Sequence, residues 1–380
     1  MTAYICEIGR ISDVVVTSRA PLVDPSPERR QRNTAKRSGE VGIVQRLRRS
    51  LLALEPGVRP LVLCGYSGGA DSLALLGALA ELNRVGIGSV HAVHVDHGVR
   101  PGSGEDARRA GTVADQLGVS MTVIRLSSDV LEGAPGLGME EALRRARYLA
   151  FAEVFGQIGA SVLALAHHQR DQAETVFLHM LRGSGIRGAS GMRSFLRTEI
   201  PWWEDVDDEE GPSLIPLWRP FLAESQLEVR AFAESLGVPI VEDPSNLDRA
   251  IRRNAIRHDV LPKLEEIMPG AVANLARFAG LAGDDSDELD MQAVGALMEA
   301  GVPKALCREW LLEYPVALQR RIVQVWFESD AVGVKLSANR IEQILKVAQA
   351  RGRAREIEIG SGWSVLVSRD ALSLAPPGRS

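Results

Sequence analysis

At 380 residues the chain is too long for one typical domain and is expected to form two, and its 45% hydrophobic and 24% charged residues are those of a globular protein with a sizeable core. Cys6, Cys64 and Cys307 stand far apart with no CxxC pair, which argues against a disulfide framework or a cysteine-built metal or cluster site. The net charge of −5 argues against indiscriminate nucleic-acid binding while leaving room for local basic faces; no apolar stretch is long enough for a transmembrane helix, and Met1 to Ala20 include Glu7, Arg10, Asp13 and Arg19 rather than a signal-like apolar run, so a cytoplasmic location is expected.

Residues 1–40 show no sustained periodicity. Pro21, Pro25 and Pro27 lead into Arg29, Arg30, Arg32, Lys36 and Arg37, and the segment reads as a flexible basic extension, either a solvated tail or a contact to RNA. From Val41 the pattern is regular: Ile43, Leu47, Leu51 and Leu52 make a helical stripe that ends at Pro56-Gly57. Strands are then expected at 61–64, 89–95, 121–126 and 161–166, alternating with helices at 71–83, 105–117, 139–155 and 171–181. That alternation predicts an α/β fold, a doubly wound parallel sheet with helices on both faces and its ligand beyond the carboxyl ends of the strands. The acidic, turn-rich stretch from Trp202 to Pro212 reads as a solvated loop. Helical patterns at 224–236 and 254–268 then continue without strands, which predicts a catalytic domain over 41–222 and a mainly helical C-terminal domain over 223–380.

The first strand runs into Ser67-Gly68-Gly69-Ala70-Asp71-Ser72. Glycines let the backbone approach a ligand, free N–H groups at a helix start favour an anion, the hydroxyls of Ser67 and Ser72 offer donors to phosphate oxygens, and Asp71 is placed to hold a metal ion. The commoner phosphate loop is excluded, because its lysine is missing; a plain Ser/Gly turn capping a helix is the alternative.

Three further stretches carry polar groups at strand exits or turns. His94, Asp96 and Arg100 stand at the exit of the second strand and could line a nucleotide pocket or be ordinary hydrogen-bonded residues. In Ala166-His167-His168-Gln169-Arg170-Asp171-Gln172-Ala173-Glu174, Asp171 and Glu174 are three apart near a helix N-terminus, where they could hold an ammonium group, bind Mg²⁺, accept a proton, or simply complement the helix dipole. The two histidines lack the partners of a zinc site. Arg182 and Arg187 bracket glycines in a loop suited to a polyanion or to a linker, while Arg253, Arg257 and His258 form a basic helix face suited to RNA or to domain docking.

SGGADS, HVDHGVRP, AHHQRDQAET, LRGSGIRGASGM, Trp218-Arg219-Pro220 and DPSNLDRAIRRNAIRH occur in the order and spacing of the tRNA(Ile)-lysidine synthetases, PP-loop enzymes with an adenine-nucleotide alpha-hydrolase-like fold, and the chain resembles that family's short form. One position departs from it: the family usually carries two aspartates before QAET, and Arg170 replaces the first. The resemblance implies a ligase that joins L-lysine to C2 of the first anticodon cytidine of a tRNA(Ile) with a CAU anticodon, using ATP and Mg²⁺. It implies ATP at Ser67, Gly68, Gly69, Ala70, Asp71, Ser72, His94 and His97, Mg²⁺ at Asp71, and lysine at Asp171 and Glu174. Arg182, Arg187, Arg219, Arg253 and Arg257 become candidate tRNA or phosphate contacts. Self-association into a homodimer is left open. A tRNA thiolase shares the loop, but the version acting on cytidine brings paired cysteines, and a non-enzymatic nucleotide-binding module remains a rival.

Overall fold

The computed structural model describes residues 11–17, 40–54, 59–98, 102–126, 138–200, 213–241, 248–331, 334, 336–350 and 353–376. Arg29 to Arg37, Arg100, the acidic stretch 202–212 and the turn at 242–246 lie outside them. Two compact units divide the chain: one comprises Met1–Gln172, Arg193–Pro201 and Pro212–Ala273, the other Ala173–Met192 with Asn274–Ser380.

In the first unit the elements are β1 (Ile11–Thr17), α1 (Glu40–Leu54), β2 (Leu61–Gly65), α2 (Ala70–Arg84), β3 (Ser89–Asp96), α3 (Ser103–Gln116), β4 (Ser120–Leu126), α4 (Met139–Ile158) and β5 (Val162–Ala164). Helix α5 (Gln169–Leu181) begins there and runs into the second unit, where the short α6 (Ile186–Ala189) follows; β6 (Phe195–Ile200), β7 (Ser213–Trp218) and α7 (Gln226–Ser235) return to the first. The sheet order is β1-β4-β3-β2-β5-β7-β6, with β4, β3, β2, β5 and β7 parallel and antiparallel strands at both edges. β2 and β5 flank the point where the winding reverses, so their carboxyl ends open onto the crevice that such sheets reserve for ligands.

The sequence explains the layers. Val62, Leu63 and Cys64 are buried in succession because a central parallel strand is covered on both faces. α2 buries residues all round, from Ser72 through Leu82, as a helix enclosed between neighbours must. Trp218, 1% exposed, satisfies its indole N–H with Ser50 Oγ of α1 at 3.0 Å.

Two expectations fail here. Residues 1–40 are not all extension, since β1 pairs antiparallel with β4 at the sheet edge; a run such as Val14-Val15-Val16 carries strand propensity without period. The unit boundary falls after Ala273 rather than near residue 222. α7 starts with a serine N-cap, Ser225 Oγ accepting from the Glu228 N–H at 3.2 Å, and buries Val229, Phe232 and Ala233 in the sheet domain's core. Leu236 touches α2 where Gly77 leaves room: a Cβ there would stand 2.4 Å from Leu236 Cδ1. Arg46 Nε and Nη2 donate to both carboxylate oxygens of Glu224 at 2.7 and 2.5 Å, tying α1 to the segment before α7.

The helix expected over 254–268 is interrupted. α8 (Arg252–Ala255) passes into a π turn (Ile256–Val260) and then α9 (Leu261–Ile267), with Pro262 at the start of α9. Proline brings no N–H, so the regular ladder cannot continue through it.

The second unit contains most of α10 (Ala271–Glu299), then β8 (Ala305–Cys307), α11 (Arg308–Glu313), α12 (Val316–Asp330), α13 (Ala338–Gln349), β9 (Arg355–Gly360), β10 (Trp363–Val367) and β11 (Ala371–Ala375). Its strands form an antiparallel sheet in the order β8-β11-β10-β9 within a mainly helical region. Ile322, Phe327, Ile344, Leu345 and Val365 fill the core beneath it, and Phe327 meets Trp363 edge-on at 6.1 Å. Among the described residues no helix is long and apolar enough to cross a membrane.

Candidate active site

The loop after β2 is closed by its own side chains. Ser72 Oγ donates to the Gly69 carbonyl at 3.0 Å, so the 3.1 Å contact between Ser67 Oγ and Ser72 Oγ takes its proton from Ser67; Ser72 Oγ also accepts from the Ser67 N–H at 3.2 Å. The two hydroxyls expected to face phosphate thus bond each other and the loop backbone. The helix start offers an anion backbone donors as well. Gly69 stands at the start of α2, no side chain caps that helix, and Ala70, Asp71 and Ser72 occupy the turn whose N–H groups lack intrahelical partners. Gly68 has φ +89°, and a Cβ there would lie 3.3 Å from the Val241 side chain, so glycine is required both by conformation and by the close approach of 241.

His94, at 6% exposure, supports this loop from below. Its Nδ1–H donates to the Tyr66 carbonyl at 2.9 Å, and burial holds its pKa below the ordinary histidine value despite that bond and nearby carboxylates. Asp96 is buried too, accepting from Gly98 N–H at 3.0 Å and from Arg125 at 3.3 Å. His97 is half-buried at the end of β3.

Across the crevice, the segment after β5 carries two histidines of opposite character, His168 buried and His167 half-buried. His168, 1% exposed, receives the N–H groups of Arg170 and Asp171 at Nδ1 (3.2 and 3.4 Å), which leaves its ring proton on Nε2, 3.5 Å from Asp71 Oδ2. Burial works against a charged ring, but the hydrogen bond to Asp71 and the charges of Asp171 and Asp71 prevail and raise its pKa. His167 accepts from Arg219 Nε at Nδ1 (3.2 Å); burial pushes its pKa down to about 3, with Arg219 and Arg253 adding to the effect against Asp171.

Asp171 is a heavily engaged carboxylate. Oδ2 accepts from the His168 N–H at 3.0 Å, and Oδ1 meets Arg257 Nη2 at 2.9 Å and Arg253 Nη2 at 3.4 Å. Burial would raise its pKa, but the charges of His168, His167, Arg253 and Arg257 outweigh it and bring the value down to about 2. Glu174 follows one turn along α5 and is fully buried.

The structure thus gathers Asp71, His168, Asp171, Arg253 and Arg257 at the mouth of β2 and β5. Arg219 is not a surface contact: it is 7% exposed and donates to His167 and to the Arg193 carbonyl at 2.9 Å. Arg182 and Arg187 lie in the other unit, Arg182 exposed and Arg187 paired with Glu328 at 2.7 Å. His168 was weighed in the sequence only as a zinc ligand; its place beside a strand exit was the available signal.

An uncapped helix start reached through SGGADS, at the switch point of a parallel sheet, defines a nucleotide-binding protein of the PP-loop class, and residues 44–264 match the family described as PP-loop domain. Residues 306–373 match the family described as TilS substrate binding domain. The chain is 38% identical over 292 residues to the tRNA(Ile)-lysidine synthase of Streptomyces coelicolor, covering 75% of this chain and 76% of that one, and 32% identical over 327 residues to that of Deinococcus deserti, covering 86% and 54%. The chain belongs to the tRNA(Ile)-lysidine synthase family. It spans about half the length of several curated relatives that it matches, 54%, 57% and 46% in three of them. Among solved structures, the U34-tRNA thiolase NcsA from Methanococcus maripaludis shares the fold, with a TM-score of 0.53 at 18% identity over 65% of this chain and 81% of that one.

Proposed function

We propose that this protein ligates lysine to C2 of the first anticodon cytidine of tRNA(Ile) with a CAU anticodon, at the cost of one ATP. The observation that carries the reading is the pairing of the loop carboxylate, Asp71, with the AHHQRDQAET segment through His168. A nucleotide seat and a cationic, carboxylate-bearing wall then face one crevice. That the relatives carry the name tRNA(Ile)-lysidine synthase supports the choice of substrates.

In the first step the cytidine O2 attacks the α-phosphate of ATP, the bond to the β-phosphate breaks and pyrophosphate leaves. In the second the lysine ε-amine attacks C2, the C2–O bond breaks, AMP leaves and the amine loses a proton. The amides of Ala70 to Ser72 bind phosphate oxygens where negative charge grows. Asp71, whose side chain is 42% exposed beside those amides, is a hard oxygen donor suited to Mg²⁺, which when bound supplies charge neutralisation on the phosphates. His168 fixes the direction of that carboxylate. Asp171 and Glu174 form the lysine seat, the ammonium exchanging with Arg253 and Arg257 for Asp171, and Arg253 and Arg257 meet the RNA backbone. A cytidine splayed from its anticodon stack reaches such a crevice. The protein acts on free substrates in solution and needs no membrane.

The test is incubation with ATP, Mg²⁺, labelled lysine and tRNA bearing CAU or GAU. Label in the CAU tRNA alone supports the reading; pyrophosphate release that needs neither lysine nor tRNA, or label in both tRNAs, defeats it.

A further inference from the structure

Arg170 and Asp171 are neighbours on α5, and both grip one residue of the π turn. Asp171 takes the side chain of Arg257. Arg170 takes its backbone: Nη2 donates to the Arg257 carbonyl, while Nη1 donates to Gln226 Oε1 at 2.7 Å at the start of α7. The turn departs from a regular helix at this point. The Leu261 N–H, which in a regular α-helix would serve Arg257, bonds the Ile256 carbonyl instead, and the next residue is Pro262, which has no N–H. The guanidinium thus binds the turn where the helical ladder changes register.

We propose that Arg170 is a positioning residue for the reaction. It seats the π turn so that Arg253 and Arg257 stand over Asp171 at 3.4 and 2.9 Å, and it acts on tRNA binding through Arg257. This rests on the proposed ligation, in which those arginines meet the RNA backbone. A planar guanidinium can serve Gln226 and the carbonyl at once, whereas an ammonium is a single point donor, so Lys at this position is only half a substitute.

The test is a double-mutant cycle on the full chain with Arg170→Met, Arg257→Met, both together, and Arg170→Lys. Binding of CAU tRNA is measured by fluorescence anisotropy without ATP, and KM and kcat by lysine incorporation. Arg170→Met is expected to weaken tRNA binding and raise KM for tRNA about tenfold, the size of one charge-assisted hydrogen bond, with kcat within about threefold. The double variant should behave as Arg257→Met alone, and Arg170→Lys should recover part of the loss. Additive effects of the two substitutions, or an Arg170→Met that binds tRNA like the parent, overturn the proposal. If Arg170→Met fails to fold, Arg170→Lys and Gln226→Ala, each removing one bond, are read in the same cycle with the same criteria. Absence of lysine incorporation by the unaltered protein overturns the ligation reading instead, and the binding cycle still decides the role of Arg170.

Discussion

His168 Nε2 stands 3.5 Å from Asp71 Oδ2, so a histidine buried behind one strand exit orients the carboxylate of the loop behind another. The contact crosses the switch point between β5 and β2. It makes the loop carboxylate proposed to hold Mg²⁺ depend on a residue about a hundred positions later, and the two substitutions should differ in severity. Asp71→Asn should lower tRNA-dependent pyrophosphate release by about two orders of magnitude or more, since it removes a group facing developing charge. His168→Gln, which removes only orientation, should lower it by about tenfold. Equal losses in a pyrophosphate-release assay would show that His168 does more than aim Asp71.

The two depressed pKa values set an acid limit. Asp171 drops from an ordinary 3.8 to about 2, so its pairing stabilises the fold by about 2 kcal/mol above pH 4, and that contribution is lost as pH falls through about 2. His167 drops from 6.5 to about 3: above pH 6.5 the ring is neutral in both states and adds nothing, and it costs stability progressively as pH falls from 6.5 toward 3, because the unfolded ring protonates first. His167→Asn keeps an acceptor for Arg219 without titrating. Denaturant melts between pH 7 and 4 should show a shallower loss of stability for this variant than for the parent, and parallel curves would contradict the burial argument.

Gly77 tests the packing of α7 on the sheet domain. Because a Cβ would sit 2.4 Å from Leu236 Cδ1, Gly77→Ala should destabilise the protein by about 1–3 kcal/mol despite alanine's better helix propensity. Leu236→Ala in the same chain should restore part of the loss, measured as a shift in the thermal midpoint. Gly77→Ala alone melting at or above the parent would mean that α7 is not held against α2.

Arg187 and Glu328 are both partly exposed, at 45% and 27%, so the pair contributes at most about 1 kcal/mol. Arg187→Ala should leave the thermal midpoint nearly unchanged. If Arg187 also meets RNA, as its place among loop glycines suggests, the same variant should weaken tRNA binding and flatten its salt dependence by about one phosphate contact. Glu328→Ala, freeing that guanidinium, should not weaken binding.

Much of this was legible because the groups that make the fold are local. An apolar run into SGGADS gives strand, turn and helix from residues that touch one another, and the alternation that follows admits few topologies. What escaped is set by distant partners. The hydroxyls of Ser67 and Ser72 are donors in any sequence reading, but only their mutual distance shows that they close the loop. The amphipathic α7 looks the same whether it opens a new domain or covers an old one; Gly77 and Glu224 decide, and each becomes informative only beside Leu236 or Arg46. Arg219 has the chemistry of a phosphate ligand and the burial of a core residue. Pro262 was the visible warning of the π turn, and the bond from Arg170 to the Arg257 carbonyl could not be inferred without knowing where α5 lies.

The helix α5 leaves the sheet domain partway along its length, and residues 173–192 fold with partners from 274 onward. Arg187 finds Glu328 across 141 positions of chain. As the polypeptide emerges from the ribosome, the nucleotide half can close while this glycine-bearing hairpin still waits for its helices. A fragment ending at the sheet domain's last residue would therefore lack the partners of a segment made for a surface not yet synthesised, and such fragments should be cut faster at 182–191 than the intact chain.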